Sequence, residues 1–186
     1  MRKSLLSASV VILGLTAYSA SAEELFLLNI PGISGDVTVK GYEGWISVTA
    51  FSEGFKNADE RGTGSGGADA GRTSCQELHV VKMLDVTSPE VAAAVAMGHR
   101  YANVKLAVLK TGAQPLEFLR FTLSNVLFTS VTFGGSTKTS TTTDVTTTAR
   151  VETLALKPTQ IIMQFVPQTA DGAPGAPVTS MVDCAH

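Results

Sequence analysis

The sequence predicts a mainly β domain in which two packed antiparallel sheets form a barrel-like sandwich with one short flanking α-helix. Short apolar runs rich in Val, Ile, Thr and Phe recur along the chain and are bounded by Gly, Pro and Asn, a pattern typical of strands and their turns. One segment stands out with the start and stop signals of a helix. A chain of 186 residues is long enough for one domain with its own core.

The first 22 residues have the features of a secretory signal peptide. Basic residues at positions 2 and 3 precede an apolar run from Leu5 to Leu15, and Ala20-Ser21-Ala22 matches an A-x-A cleavage site. That run has about 11 residues, whereas a membrane-spanning helix needs ~20. We therefore expect residues 1–22 to be removed and residues 23–186 to form a single domain, periplasmic or secreted, with no membrane span.

The predicted strands share a length of six to eleven residues and a high content of β-branched and aromatic side chains. In the second strand, alternate residues from Trp45 to Phe51 lie on one face and those from Ile46 to Ala50 on the other, and either face fits a core. The predicted strands are Leu25–Ile30, Trp45–Phe51, Ser74–Leu84, Val104–Lys110, Leu116–Leu123, Val126–Phe133, Val151–Leu156 and Gln160–Val166.

The predicted helix begins in the segment Thr87-Ser88-Pro89-Glu90, which combines an N-cap candidate, a first-turn proline and a Glu placed for a capping box. Val91 to Met97 form its body, and Gly98 is suited to a C-terminal cap. Because a helix of two to three turns is marginal alone, we expect it to pack on the sheets through Val91 and Val95.

Three segments read as loops. Residues 58–72 are dominated by Gly and small polar residues. The threonine-rich tract Ser136–Thr148 fits either an edge ribbon or a flexible connector, because Thr favours strands but the tract offers little to bury. From about Thr169 the chain contains Pro174 and Pro177, which predicts an extended C-terminal tail.

The residues do not point to catalysis, to a cofactor, to a metal or to nucleic acid. Without the signal peptide the chain has 12 basic and 16 acidic groups, so it lacks the excess of positive charge that nucleic acid attracts. The segment Gly62–Gly67 matches G-x-G-x-x-G, but charged loop residues precede it and a β-rich segment follows, where a phosphate site needs a strand and a helix. A nucleophile elbow of the form G-x-S-x-G is also lacking.

Cys75 and Cys184 are the two cysteines of the chain. In an exported protein they fit one intramolecular disulfide, a bridge between subunits, or two free thiols. With His79 and His186 they would make a Cys₂His₂ set for zinc, but neither half has the usual C-x₂₋₄-C spacing. We therefore treat Cys75 and Cys184 as a candidate disulfide.

Several segments, read in order, resemble the haemolysin-coregulated protein (Hcp) family, which forms the tubes of bacterial type VI secretion systems. These segments are 25–35 (LFLLNIPGISG), 44–48 (GWISV), 76–82 (QELHVVK), 88–91 (SPEV) with 97–98 (MG), 116–119 (LEFL), 126–131 (VLFTSV), and 165–168 (FVPQ) with 171–172 (DG). Together they span nearly all of residues 25–172. The predicted cleavable signal is a departure, because tube subunits of the family normally carry none.

The resemblance implies a non-enzymatic structural protein whose six copies form a ring around a wide pore. Rings of the family stack into a tube, so the implied partners are further copies, a spike protein and small effector proteins in the pore. Ring-to-ring contacts are expected in the loop after the first strand, with Val37 and Val39 as apolar tips beside Asp36 and Lys40. The alternative is an exported monomeric β-sandwich that binds a glycan or a surface protein.

Overall fold

The computed structural model describes residues 23–57, 73–112, 115–139 and 146–184. The predicted signal peptide and the predicted loop at 58–72 lie outside these residues. The elements within them are β1 (Glu24–Asn29), β2 (Ile46–Val48), β3 (Ala50–Ser52), β4 (Phe55–Asn57), β5 (Thr73–Cys75), β6 (Leu78–Met83), α1 (Ser88–Met97), β7 (Arg100–Lys110), β8 (Leu116–Thr139), β9 (Thr146–Lys157), β10 (Gln160–Phe165) and β11 (Val178–Asp183).

The strands form the predicted antiparallel, sandwich-like architecture, so the fold class is confirmed. Hydrogen-bonded neighbours follow the order β2-β1-β7-β8-β9-β6-β3, and the β10–β11 pair attaches to β8 through β10. Strands β4 and β5 make a separate two-stranded ladder. The two ends of the main path, β2 and β3, are joined through Thr49, whose backbone N–H and hydroxyl both donate to the Val81 carbonyl.

Strand β8 serves both halves of the sandwich. The sequence predicted two strands here, with a break at Ser124 and Asn125. In the structure one strand of 24 residues passes through this point with Asn125 at φ 48°. Its first half pairs with β7 and β10, and its second half pairs with β9. The left-handed conformation of Asn125 bends the strand without ending it, because Asn tolerates positive φ better than most residues.

The core lies between the two halves of the sandwich. The question of which face of the second predicted strand is buried is settled for Ile46 and Val48, which are buried. After Thr49 the side chain that reaches the core is Phe51, so the strand changes face at that corner. The buried cluster collects apolar side chains from most strands: Leu28, Ile30, Leu78, Val80, Leu106, Phe121, Leu123, Phe128, Leu154, Leu156 and Ile161.

Helix α1 covers one end of this core. Val91 and Ala94 are buried, and Val95 packs against the core from a partly buried position. Gly98 ends the helix as predicted, with φ 62° and its N–H donating to the Val95 carbonyl. The predicted capping box is wrong. Thr87 makes no side-chain cap, because its hydroxyl and backbone N–H both donate to the nearby carboxylate of Asp85.

The threonine-rich tract and the C-terminal segment both contribute strands. Pairing of β8 with β9 continues to Thr139 opposite Thr146, which fits the edge-ribbon interpretation, and residues 140–145 lie outside the described residues. The predicted tail turns back at Gly172 and returns as β11 on the edge of the sheet. The tail is therefore turned near its start and extended only later, in β11, where β10 offers it a free row of backbone hydrogen-bonding groups.

Candidate assembly surfaces

The described part of the chain contains no group of three or more His, Cys, Asp or Glu side chains that could hold a metal ion. Cys75 and Cys184 form a disulfide with 5.1 Å between their Cα atoms, and Cys184 is 7% exposed. In this arrangement neither sulfur is a thiolate ligand. Over the same residues no helix is both long enough and apolar enough to cross a bilayer.

Described residues line two surface cavities that bear on a binding role. One, of about 340 Å³, lies between α1 and the loop after β1 and is mostly apolar, with Glu90 and His99 at its border. The other, of about 370 Å³, is lined by polar side chains that include Glu53, Gln76 and His79. Burial raises the pKa of Glu53 to about 7, and one hydrogen bond from the Gly54 N–H only partly offsets this effect.

A buried ion pair fixes the start of α1 to strands β6 and β9. Lys82 Nζ lies 2.6 Å from Glu152 Oε1, and both side chains are 0% exposed. The same ammonium donates to Asp85 Oδ1 at 2.8 Å and to the Met83 carbonyl at 3.1 Å. Burial acts to raise the pKa of Asp85, but the hydrogen bonds from Lys82 and Thr87 outweigh it and lower that pKa. This pair was not predicted from the sequence, although a Lys within a predicted apolar strand was a signal for a buried charge that needs a partner.

The loop predicted to contact a neighbouring ring folds back on its own domain. The Val37 N–H donates to the Trp45 carbonyl, and its side chain packs with Tyr42 and Trp45 against Leu27 and other residues of β1 and β7. Val37 is partly buried in this contact, because the outer face of these two strands is itself apolar. Val39 is half-buried, whereas Asp36 and Lys40 are exposed.

A polar anchor holds this loop in place. The Tyr42 hydroxyl donates to the Glu117 carboxylate, and Arg120 lies 2.6 Å from the same carboxylate oxygen. Burial, followed by the hydrogen bond to Glu117, raises the pKa of Tyr42 to about 12. Because the anchor is bound to β8, Asp36 and Lys40 project from a surface whose position is fixed.

Several strands of the described residues have one partner strand only, and β11 and the second half of β8 are two of these sheet edges. Strand β11 pairs only with β10, and the second half of β8, beyond Leu127, pairs only with β9. Large apolar side chains are exposed at both edges: Phe165 (44%), Val178 (67%) and Met181 (60%) on the β10–β11 pair, and Phe133 (51%) on β8. Open edges with exposed apolar side chains are surfaces on which another chain can pair.

Solved structures share this fold. A structure described as a type six secretion system protein matches with a TM-score of 0.74 at 20% identity, covering 87% of this chain and 96% of that one. Hcp1 from Salmonella typhimurium matches with a TM-score of 0.65 at 22% identity, covering 88% and 95%. The fold is therefore that of type VI secretion proteins.

The sequence comparisons define the family. The family model described as type VI secretion system effector, Hcp, matches residues 27–165. Protein hcp1 of Pseudomonas aeruginosa is 33% identical over 109 residues, which cover 58% of this chain and 62% of that protein. The chain belongs to the Hcp family, which is a structural family and not an enzyme family.

Proposed function

We propose that residues 23–186 form a non-enzymatic, exported ring subunit, of which six copies enclose a pore able to hold small effector proteins. The observation that carries this proposal is the family match over residues 27–165 together with a shared fold over most of the chain. Domain boundaries, export and ring size are parts of the proposal.

The open edges supply a physical reason for self-assembly. The edge of β11 and the edge of the second half of β8 belong to different parts of the sheet path, so one copy's β11 side can face another copy's β8 side. Such a head-to-tail contact covers both edges in every copy when the ring closes. Val178 and Phe133 are exposed to water in the monomer, and closure of the ring buries them.

Ring-to-ring contact is proposed at Asp36 and Lys40. Both are exposed on the anchored loop, and opposite charges four residues apart present a polar, two-signed surface. Reversing both charges, Asp36→Lys with Lys40→Glu, is expected to weaken stacking and to leave the ring mass unchanged. A matched control is Lys56→Glu, a charge reversal on β4 outside the loop.

Native mass spectrometry and negative-stain electron microscopy of the mature protein test the ring. Six copies per particle and round particles with a central hole are the expected results. A monomer at high concentration would instead favour the exported binding module, for which the polar cavity beside Glu53 and His79 is the supporting feature. N-terminal sequencing of native material tests export separately, and a chain that begins at Met1 in the cytosol would contradict it.

A further inference from the structure

The disulfide joins β5 to the end of β11 at the border of the main core, where Cys184 belongs to the buried cluster and Cys75 packs against it. Cys75 ends β5, which pairs only with the three-residue strand β4 and has no ladder to the nine-stranded sheet. Cys184, the other cysteine of the bond, directly follows β11, which is an edge strand paired only with β10. The two cysteines are 109 residues apart in sequence, so the bond joins the end of β11 to a distant segment of the chain.

Strand β11 has little else to hold it. Five of its six residues are exposed, and its single ladder consists of the six residue pairs with β10. Cys184 is the buried residue of this C-terminal segment, and its N–H donates to the Thr159 carbonyl at 2.9 Å. Edge strands with few buried contacts open locally at a low free-energy cost, and besides the β10 ladder and the Gln160–Asp183 hydrogen bond it is the disulfide at Cys184 that holds the end of β11.

The core does not depend on the strand in the same way. The fully buried residues Leu106, Leu123 and Leu154 belong to β7, β8 and β9. Strand β8 pairs with β7 on one side and with β9 on the other, over ten or more residues in each case. Loss of β11 leaves these ladders whole. It uncovers the edge of β10 and further exposes Phe165 and Met163, which are already 44% and 38% exposed when β11 is in place.

The connector between β10 and β11 permits the strand to move. Residues 166–177 form a surface turn held by backbone bonds such as Gly172 N–H to the Thr169 carbonyl and Gly175 N–H to the Pro167 carbonyl. When extended, 12 residues span up to ~40 Å. This reach is enough for β11 to leave its own domain and pair with β10 of a neighbouring copy. Because the copies are identical, that β10 offers β11 the same residue pairing as its own β10 does.

We propose that the Cys75–Cys184 disulfide is a redox latch which commits β11 to its own domain, and that β11 of the reduced protein exchanges between copies of the chain. The latch opens when a dithiol reduces the bond: the sulfur–sulfur bond breaks, two electrons and two protons pass to the cysteines, and the dithiol becomes a cyclic disulfide. Reoxidation after exchange joins Cys75 of one copy to Cys184 of another. The proposal does not require ring formation, but β11 is also one of the edges proposed above for contact between copies.

Hydrogen exchange of the mature native protein, with and without dithiothreitol, tests release of the strand. Reduction is expected to speed exchange in β11 and β5 by about tenfold or more and to leave β7 and β8 protected. The Cys75→Ser, Cys184→Ser double variant should match the reduced protein and ignore the reductant. Unchanged exchange in β11 overturns the proposal, and so does a uniform increase through β7 and β8, which would make the bond a global stabiliser.

Isotope mixing tests exchange between copies. Unlabelled and ¹⁵N-labelled proteins are reduced, mixed at high concentration, reoxidised and digested, and the peptides that carry the Cys75–Cys184 bond are weighed. About half of them are expected to pair one labelled with one unlabelled peptide if β11 exchanges freely. The control is the same mixture kept oxidised throughout. Exchange would be refuted if, after reoxidation, both peptides of every pair are labelled or both are unlabelled, while hydrogen exchange shows β11 released and β7 and β8 protected. That result would show that the strand returns to its own domain.

Discussion

Lys82→Met is expected to be among the most damaging single substitutions in this domain. Lys82 and Glu152 are each 0% exposed and 2.6 Å apart, and among the described residues the Glu152 carboxylate has no partner besides this ammonium. Removal of the ammonium therefore leaves a fully buried carboxylate with no compensation. Breaking a buried pair in this way costs about 3–5 kcal/mol, a large part of the ~5–15 kcal/mol that stabilises a typical domain.

Two matched variants separate the charge effect from the loss of packing. Lys82→Met with Glu152→Met removes both charges at similar volume, and its free energy of unfolding should lie within about 1–2 kcal/mol of the wild type. Glu152→Gln leaves Lys82 paired with Asp85 and should lose only about 1–3 kcal/mol. The single Lys82 variant should be the least stable of the three.

Urea unfolding followed by the fluorescence of Trp45, the one tryptophan of the chain, measures these differences. Midpoints should fall while the slope m stays constant, since the surface exposed on unfolding is nearly the same. The reasoning fails if Lys82→Met lies within about 1 kcal/mol of the wild type. It also fails if the double variant is as unstable as Lys82→Met, because the loss would then come from packing or from Asp85, which loses its ammonium partner in both variants, rather than from the unpaired Glu152 carboxylate.

Two further predictions concern Glu53 and Gly35. The pKa of Glu53 is raised from 4.5 to about 7, so its ionisation destabilises the fold progressively from pH ~4.5 to 7. Glu53→Gln should then gain about 1 kcal/mol at pH 8, after allowance for solvent exposure, and almost nothing at pH 4; equal gains at both values would contradict the assignment. A Cβ at Gly35 would overlap the Trp45 carbonyl, so Gly35→Ala should lower stability by about 1–3 kcal/mol. Gly134→Ala, whose Cβ would meet Val151 only at 3.8 Å, is the control and should change stability by less than about 0.5 kcal/mol in thermal unfolding; a Gly35 variant as stable as the wild type would refute the close contact.

Elements with strong local signals were predictable. The helix lies at Ser88–Met97, starting within the predicted segment Thr87–Glu90 and ending at the predicted Met97, because Pro89 and Gly98 act on the backbone at their own positions. Strand β10 was found to within one residue for a similar reason, since an apolar β-branched run specifies an extended chain locally. Strands β4 and β11 were missed, because their few apolar residues give no clear period and their pairing partners decide their conformation.

Residues that matter for assembly were only partly predictable. Asp36 and Lys40 lie on the surface, as a charged loop predicts, but Val37 lies inward because β1 and β7 present a second apolar face that single-sequence periodicity does not show. The two exposed sheet edges follow from strand order, and strand order depends on contacts between distant parts of the chain.

The sequence by itself determined the β-rich class, the place of the helix and the resemblance to the Hcp family, because each follows from patterns among neighbouring residues. Only the tertiary structure decided that two predicted strands are one bent strand, that Lys82 is buried against Glu152, and that Cys75 approaches Cys184. These features join residues 70 or more positions apart, or depend on a bend at one residue. Local propensity cannot encode them, because burial and pairing are set by which distant segments pack together.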